Sequence, residues 1–279
     1  MSFKNYQDVA YHTSKYITQK YSTSFSLGIK LLAGELHKPI YAIYGYVRLA
    51  DEIVDTFHDQ DKAKILTEFQ LETERAMERK FSIHPAIHAF QEVVYQYQIP
   101  YDLVEAFLLS MKMDLEATQY NQEKFAQYIY GSAEVVGLMC LHIFVHGDRE
   151  KVEALSAYAK SLGSAFQKVN FLRDLKDDYE ERGRFYFPEI DFGDFGETGK
   201  SRIIEDIEKD FAEGLEGIRK LPVKSRMGVY LAYRYYYKLF RKIASLDASH
   251  LKKERVRINN GSKLYIMLQS YARHSMNIL

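Results

Sequence analysis

Only five prolines, at positions 39, 85, 100, 188 and 222, interrupt 279 residues. Proline removes a backbone donor and breaks the interiors of helices and strands, and a many-turned β protein would use more of it. So few breakers favour long helices, and the apolar periodicity agrees. Between 38 and 55, Ile40, Ala42, Ile43, Tyr44, Val47, Ala50, Ile53 and Val54 recur at helical spacing, with Pro39 placed as a helix starter. Further helices are expected at about 61–79, 85–97, 102–118, 123–145, 149–182, 200–219, 224–245 and 261–276. Asp148 is a candidate N-cap, as are Thr198 or Ser201, and Gly183 closes an acid-rich helix. The loop-like stretch 182–200 is too short for an obvious domain linker, and no fixed-period repeat occurs. The expectation is one all-α domain over 1–279.

Charge and cysteine usage narrow the function classes. Lys and Arg number 38 against 38 Asp and Glu, and this zero net charge argues against a nucleic-acid-binding protein. The single cysteine, Cys140, excludes an intramolecular disulfide framework and a Cys-rich metal site, and it suits a reducing cytoplasm. Residues 1–20 are polar and lack the apolar core of an export signal. The longest charge-free apolar stretch, 135–147, falls short of the ~18–20 residues of a membrane span. A cytoplasmic protein is expected, with peripheral membrane contact left open. The 23 Tyr and 17 Phe call for a large core or an aromatic-lined cavity.

Two acid-bearing helices carry the chemistry. Within YGYVRLADEIVD, Tyr44, Arg48, Asp51 and Asp55 are spaced by four, three and four, one helical stripe, with Glu52 about a hundred degrees round it. Within FQKVNFLRDLKDDYEERGRFYFP, Gln167, Asn170, Asp174 and Asp178 form a second stripe: two amides, then two carboxylates. Like charges at i,i+4 cost a helix ~0.2–0.5 kcal/mol per pair, and a lone DxxxD is most simply a solvated acidic face. Two such pairs on separate helices suit Mg²⁺ held for a phosphate ligand. That ion takes one or two carboxylates and leaves positions for substrate oxygens.

The order of motifs resembles the squalene/phytoene synthase family of head-to-head prenyltransferases, and within it the bacterial phytoene synthases. The resemblance runs through YSTSFSLGIKLL (21–32), YAIYGYVRLADEIVD (41–55), MKMDLE (111–116) and YIYGSAEVVGLMC (128–140). It is strongest at GSAFQKVNFLRDLKDDYEERGRFYFP (163–188). It implies a helical bundle of the isoprenoid synthase type around a central apolar cavity. It further implies that Asp51, Asp55, Asp174 and Asp178 hold Mg²⁺, with Mn²⁺ as a substitute, against prenyl diphosphates. By the same resemblance Gln167 and Asn170 line the cavity, and Arg48 and Arg255 meet diphosphate. Tyr44 and Tyr130 stand beside the reacting carbons, and Ser22, Ser24 and Phe25 belong to a closing flap. The implied reaction joins two geranylgeranyl diphosphates into phytoene, through a cyclopropyl diphosphate and without NADPH.

Departures from the family pattern are Lys168 and Val169, where an apolar residue and Thr are usual, and Glu134, where a small residue is usual. Asp114, set among Met111, Met113 and Leu115, is expensive unless paired, and is expected to bond an active-site Arg or Lys. The pairs His84/His88 and His142/His146 lack the Glu of HExxH and read as core or surface histidines. Cys140 reads as an inert core thiol. The cluster Tyr230, Tyr233, Tyr235, Tyr236 and Tyr237 reads mostly as packing, with some rings available to a carbocation. The basic run Lys252, Lys253, Arg255 and Arg257 reads as a solvated face that could also meet diphosphate or an anionic membrane. Rival readings are squalene or dehydrosqualene synthesis from farnesyl diphosphate, a catalytically silent scaffold, and a di-iron protein. The last is disfavoured because Asp55-x-x-His58 has no histidine-bearing counterpart at 174–181.

Overall fold

Apolar stripes at helical spacing become helices almost wherever they occur, and the computed structural model of the chain is all-α. It describes residues 3–116, 120–188, 190, 192, 193, 195–259 and 266, and the side chains of 23, 24 and 182 are not among those described. In chain order the helices are α1 (Phe3–Tyr21), α2 (Thr23–Lys30), α3 (Gly34–Asp55), α4 (Lys62–Arg79), α5 (Pro85–Gln96) and α6 (Tyr101–Glu116). There follow α7 (Gln122–Ile129), a π-helical turn (Tyr130–Glu134), α8 (Val135–Phe144), α9 (Arg149–Arg173) and α10 (Leu175–Arg182). The last are α11 (Glu197–Lys220), α12 (Val223–Ala244) and α13 (Ala248–Leu251). Apart from Ile266, the helix expected at 261–276 lies outside the described residues.

Several boundaries correct the sequence expectation. Pro39 does not start its helix: α3 begins at Gly34, and Pro39 is buried inside it. The lost bond is the one to the Glu35 carbonyl, near the helix start where few ladder bonds exist yet. The helix expected at 123–145 is interrupted by the π-turn, where Gly131 lets the chain lie against α6. A Cβ there would stand 2.4 Å from the Ala106 carbonyl oxygen. The helix expected at 149–182 breaks at Asp174 (φ −102, ψ 9). Gly196, not Thr198 or Ser201, precedes α11. Asp148 does cap α9, accepting from the Lys151 N–H, and Gly183 closes α10 in the left-handed conformation (φ 65).

Helix α1 escaped the apolar pattern because its buried residues are Ala10, Ser14 and Thr18. The Ser14 and Thr18 hydroxyls return to the carbonyls of Ala10 and Ser14, which satisfies them within the helix. Small residues permit close approach, and α1 packs on α3 where Gly45 meets Ser14.

Two large apolar clusters form the core. One joins α1, α3, α4, α5, α6 and α8, with Tyr46 stacked on Phe90 at 3.8 Å between ring centroids. The other joins α9, α11, α12 and the segment 185–187, with Phe171 stacked on Tyr186 at 4.0 Å. Each fully buried aromatic or aliphatic side chain contributes about 1.5–3 kcal/mol. A smaller cluster of Leu141, Val145, Leu155 and Leu221 lies apart. All three contribute to the walls of one cavity.

Candidate active site

The cavity holds about 560 Å³ and runs beside α9, whose lining residues extend from Arg173 to Leu155. Eighteen residues of helix rise about 27 Å, so the space is long. Its wall is apolar along most of that length: Ile29, Leu32, Ile40, Val136, Leu162, Phe166 and Ala232 contribute to it. The small cluster of Leu141, Leu155 and Leu221, with Phe144 and Tyr158, closes the end remote from Arg173. Polar side chains gather at the other end, where Arg48, Asp51, Gln167, Asn170, Arg173 and Arg255 line the space.

Helix α3 delivers the first acidic group. Asp51 lies 3.7 Å from the Arg48 guanidinium, and about a third of its side-chain surface is open. Its carboxyl is pushed up to about 8, first by loss of solvent, then by the charges of Asp55, Asp114 and Glu52, against the pull of Arg48. Glu52 is buried and ion-paired to Arg48, one helical turn away. The Tyr21 ring lies 4.9 Å from the same guanidinium, while Arg48 Nε is buried without an acceptor among the described residues.

Helix α9 and the break after it deliver the second group. Asn170 donates to the Gln167 amide oxygen at 3.2 Å and accepts from the Tyr236 hydroxyl at 3.3 Å. Asp174 accepts from Arg173 Nε at 2.9 Å and lies 2.7 Å from Arg255 Nε. Both arginines line the cavity. Arg255 reaches Asp177 as well, at 3.9 Å. Asp55, Asp174 and Asp178 are not among the described lining residues.

Ser22 and Phe25 bring the start of α2 to the cavity, and the Phe25 ring contacts Tyr44 at 4.9 Å and Tyr236 at 5.7 Å. The Ser24 side chain lies outside the described residues. Tyr44 lines the cavity, and burial holds its hydroxyl well above the usual tyrosine range. Cys140 also lines it, with its thiol pushed up by burial to about 12, a neutral wall group rather than a nucleophile. Of the tyrosine cluster, Tyr235 and Tyr236 face the space.

Tyr130 does not. The face of the interrupted helix that lines the cavity is Ser132, Ala133, Val136, Gly137 and Cys140. Tyr130 is not among the described lining residues, and its ring lies under the Lys160 ammonium at 5.3 Å. Tyr128 instead meets the acidic network, donating to Asp114 Oδ2 at 2.8 Å. Asp114 is buried and bonded to an arginine, Arg184, which also reaches Asp55. Loss of solvent pushes the Asp114 carboxyl up to about 6, although Arg184 and the Tyr128 hydroxyl oppose this. Sequence reading assigned no role to Arg173 or Arg184. The available signal was a cation set beside apolar side chains in VNFLRDL and GRFYFP.

The two departures in charge face elsewhere. Lys168 is buried against α11, where it pairs with Asp206 and Asp210, and Ser164 also donates to Asp210. Glu134 lies near Lys160, Asp210 and Lys168, and its carboxyl is raised mainly by burial. Neither residue is among the described lining of the cavity.

The profile of the family described as squalene/phytoene synthase matches residues 18–262. This chain belongs to the squalene/phytoene synthase family. It is 29% identical over 286 residues to a chloroplastic phytoene synthase 1 of Solanum lycopersicum, covering 95% of this chain and 68% of that one. It is 27% identical over 252 residues to a 15-cis-phytoene synthase of Enterobacter agglomerans, covering 80% and 82%. Among solved structures, a dehydrosqualene synthase in complex with ligand superposes with a TM-score of 0.80 at 21% identity, over 98% of this chain and 99% of that one. A squalene synthase from Alicyclobacillus acidocaldarius superposes at 0.73 and 20% identity, over 85% and 94%. The fold is therefore of the isoprenoid synthase type, and this squalene/phytoene synthase family member is a head-to-head prenyltransferase. No helix among the described residues is long and apolar enough to cross a membrane.

Proposed function

We propose that the chain condenses two geranylgeranyl diphosphates into phytoene, with Mg²⁺, through a cyclopropyl diphosphate intermediate. What carries the reading is the division of the cavity: a long apolar wall with arginines, amides and the Asp51 carboxylate gathered at one end. Prenyl chains would lie along the wall and diphosphates against Arg48, Arg173 and Arg255. Asp51, Asp55, Asp174 and Asp178 are the residues that would hold Mg²⁺, which when bound neutralises charge on the departing diphosphate.

The donor chemistry suits that ion. Loss of solvent and the neighbouring carboxylates Asp55, Asp114 and Glu52 push the Asp51 carboxyl upward, a crowding of acidic groups that a divalent cation would offset. Among the described residues no group of three or more His, Cys, Asp or Glu is arranged to hold a metal. Mg²⁺ needs no such cage, because water and phosphate oxygens complete its shell.

The remaining steps fall to the chain's own residues. The Phe25, Tyr44 and Tyr236 rings would face the allylic cation, an attraction worth up to ~2 kcal/mol once water is excluded. The start of α2, with Ser22, Ser24 and Phe25, would complete that exclusion, which protects the cation from quenching. The phytoene synthases among the relatives favour the twenty-carbon substrate. The likeness in fold to a dehydrosqualene synthase keeps farnesyl diphosphate as the second reading.

Purified protein given each diphosphate with Mg²⁺, with and without NADPH, separates these. Phytoene from geranylgeranyl diphosphate without NADPH is the expected product. A thirty-carbon product from farnesyl diphosphate alone would establish the second reading, and no diphosphate release from either would indicate a silent scaffold.

A further inference from the structure

One arginine connects both aspartate pairs. Gly183 takes φ 65, which turns the chain so that the Arg184 N–H returns to the Asp178 carbonyl at 2.9 Å. The Arg184 side chain then enters the interior and is only 8% exposed. Its Nη1 donates to Asp55 Oδ1 at 3.1 Å and stands 3.4 Å from Asp114 Oδ1. Its Nη2 donates to the Asp114 backbone carbonyl at 2.6 Å. Asp114 is anchored in turn by the Tyr128 and Tyr186 hydroxyls, at 2.8 and 3.3 Å. A planar guanidinium presents its donors in a rigid fork, so contacts to α3 and α6 together fix its position. The backbone bond adds α10, the helix of Asp178.

We propose that Arg184 is a positioning residue, which sets the separation of Asp55 from Asp178 and aims the Asp55 carboxylate at a Mg²⁺–diphosphate ligand. This rests on the Mg²⁺–diphosphate reading above. Simple neutralisation of buried Asp114 would explain the contacts to that residue. It does not explain why the same Nη1 reaches Asp55, whose side chain is 31% exposed and could be served by water.

Calorimetric binding of Mg²⁺ with inorganic pyrophosphate to the full chain tests the proposal. The variants are Arg184→Lys, which keeps the charge but loses the fork, and the double variant Arg184→Gln/Asp114→Asn. The double variant removes both buried charges together and so leaves neither unpaired. Both should keep the wild-type helical circular dichroism and bind at least about tenfold more weakly, the scale on which residues behind metal ligands act. Arg184→Lys should also need more Mg²⁺ for half-maximal turnover while approaching wild-type kcat at saturation. A purely structural role would lower the melting temperature without moving the affinity of the folded variants. Wild-type affinity in the folded double variant overturns the proposal. Failure of the wild-type chain itself to bind Mg²⁺–pyrophosphate overturns the underlying reading instead.

Discussion

Arg255 Nε lies 2.7 Å from Asp174 Oδ1, so a residue beyond α13 is bound to the carboxylate at the α9–α10 break. The guanidinium is about 40% exposed and lines the cavity. Exposed pairs contribute little to stability. Arg255→Gln should therefore leave the melting temperature within about a degree or two, given that 1 kcal/mol moves it about 2–4 °C in a chain of this size. It should raise KM for the diphosphate substrate several-fold more than it lowers kcat. Steady-state kinetics beside thermal melts check both, and an unchanged KM would remove Arg255 from the site.

Asp51→Ala and Asp174→Ala should lower turnover by about a hundredfold or more, the scale at which one electrostatic contact to developing charge is felt. Helical circular dichroism should survive, since neither residue belongs to an apolar cluster. Near-normal activity in either variant would sink the metal assignment.

Tyr128 and Tyr130 separate by their partners. Tyr128→Phe removes a donor from buried Asp114, an unsatisfied-group cost of about 1–3 kcal/mol, and should depress activity and stability together. Tyr130→Phe should stay within about twofold of wild-type kcat, because the ring above which Lys160 lies is retained. Parallel assays of the two variants decide whether the helix face is oriented as described.

Gly45→Ala places a Cβ 2.7 Å from Ser14 Cα, against the backbone of α1. Helix propensity alone favours Ala by about 1 kcal/mol. Overpacking costs about 1–3 kcal/mol, and a backbone atom cannot rotate away. The expected net result is a lower urea midpoint, and an unchanged or higher one would show that α1 can move.

Burial lowers the pKa of His84, His88 and His142 below the usual histidine value. The unfolded chain therefore takes up protons first, so their contribution to stability is complete above about pH 6.5 and is lost as pH falls through the lower folded values. Asp51 and Asp114 are shifted upward and act in the opposite sense, so the histidine effect is read as a difference. His142→Asn keeps a donor for the Tyr97 carbonyl, which His142 Nδ1 meets at 3.3 Å. Between pH 7.5 and 5.5 its melting temperature should fall less, or rise more, than that of wild type. An identical change would exonerate His142.

Much of the architecture was legible in one dimension. Few prolines and long apolar stripes marked most helices, and the spacing of Asp51 from Asp55 put both on one stripe. What periodicity could not reveal were features that depend on contact. Helix α1 buries small and hydroxylated residues, which carry no apolar signal until Gly45 lies against them. The π-turn at 130–134 lies where Gly131 closely approaches α6. Glu52, one position off the Asp51–Asp55 stripe, is the buried partner of Arg48, a burial that spacing does not reveal.

The sequence by itself determined which residues are helical neighbours and which charges a single helix carries, because i,i+3 and i,i+4 geometry is local. Only the tertiary structure decided which charges meet across helices. Arg184 and Asp55 are 129 positions apart and share a hydrogen bond. The chain must pack α3, α6 and α10 together before a buried guanidinium can find its acceptors, and no local spacing encodes that packing.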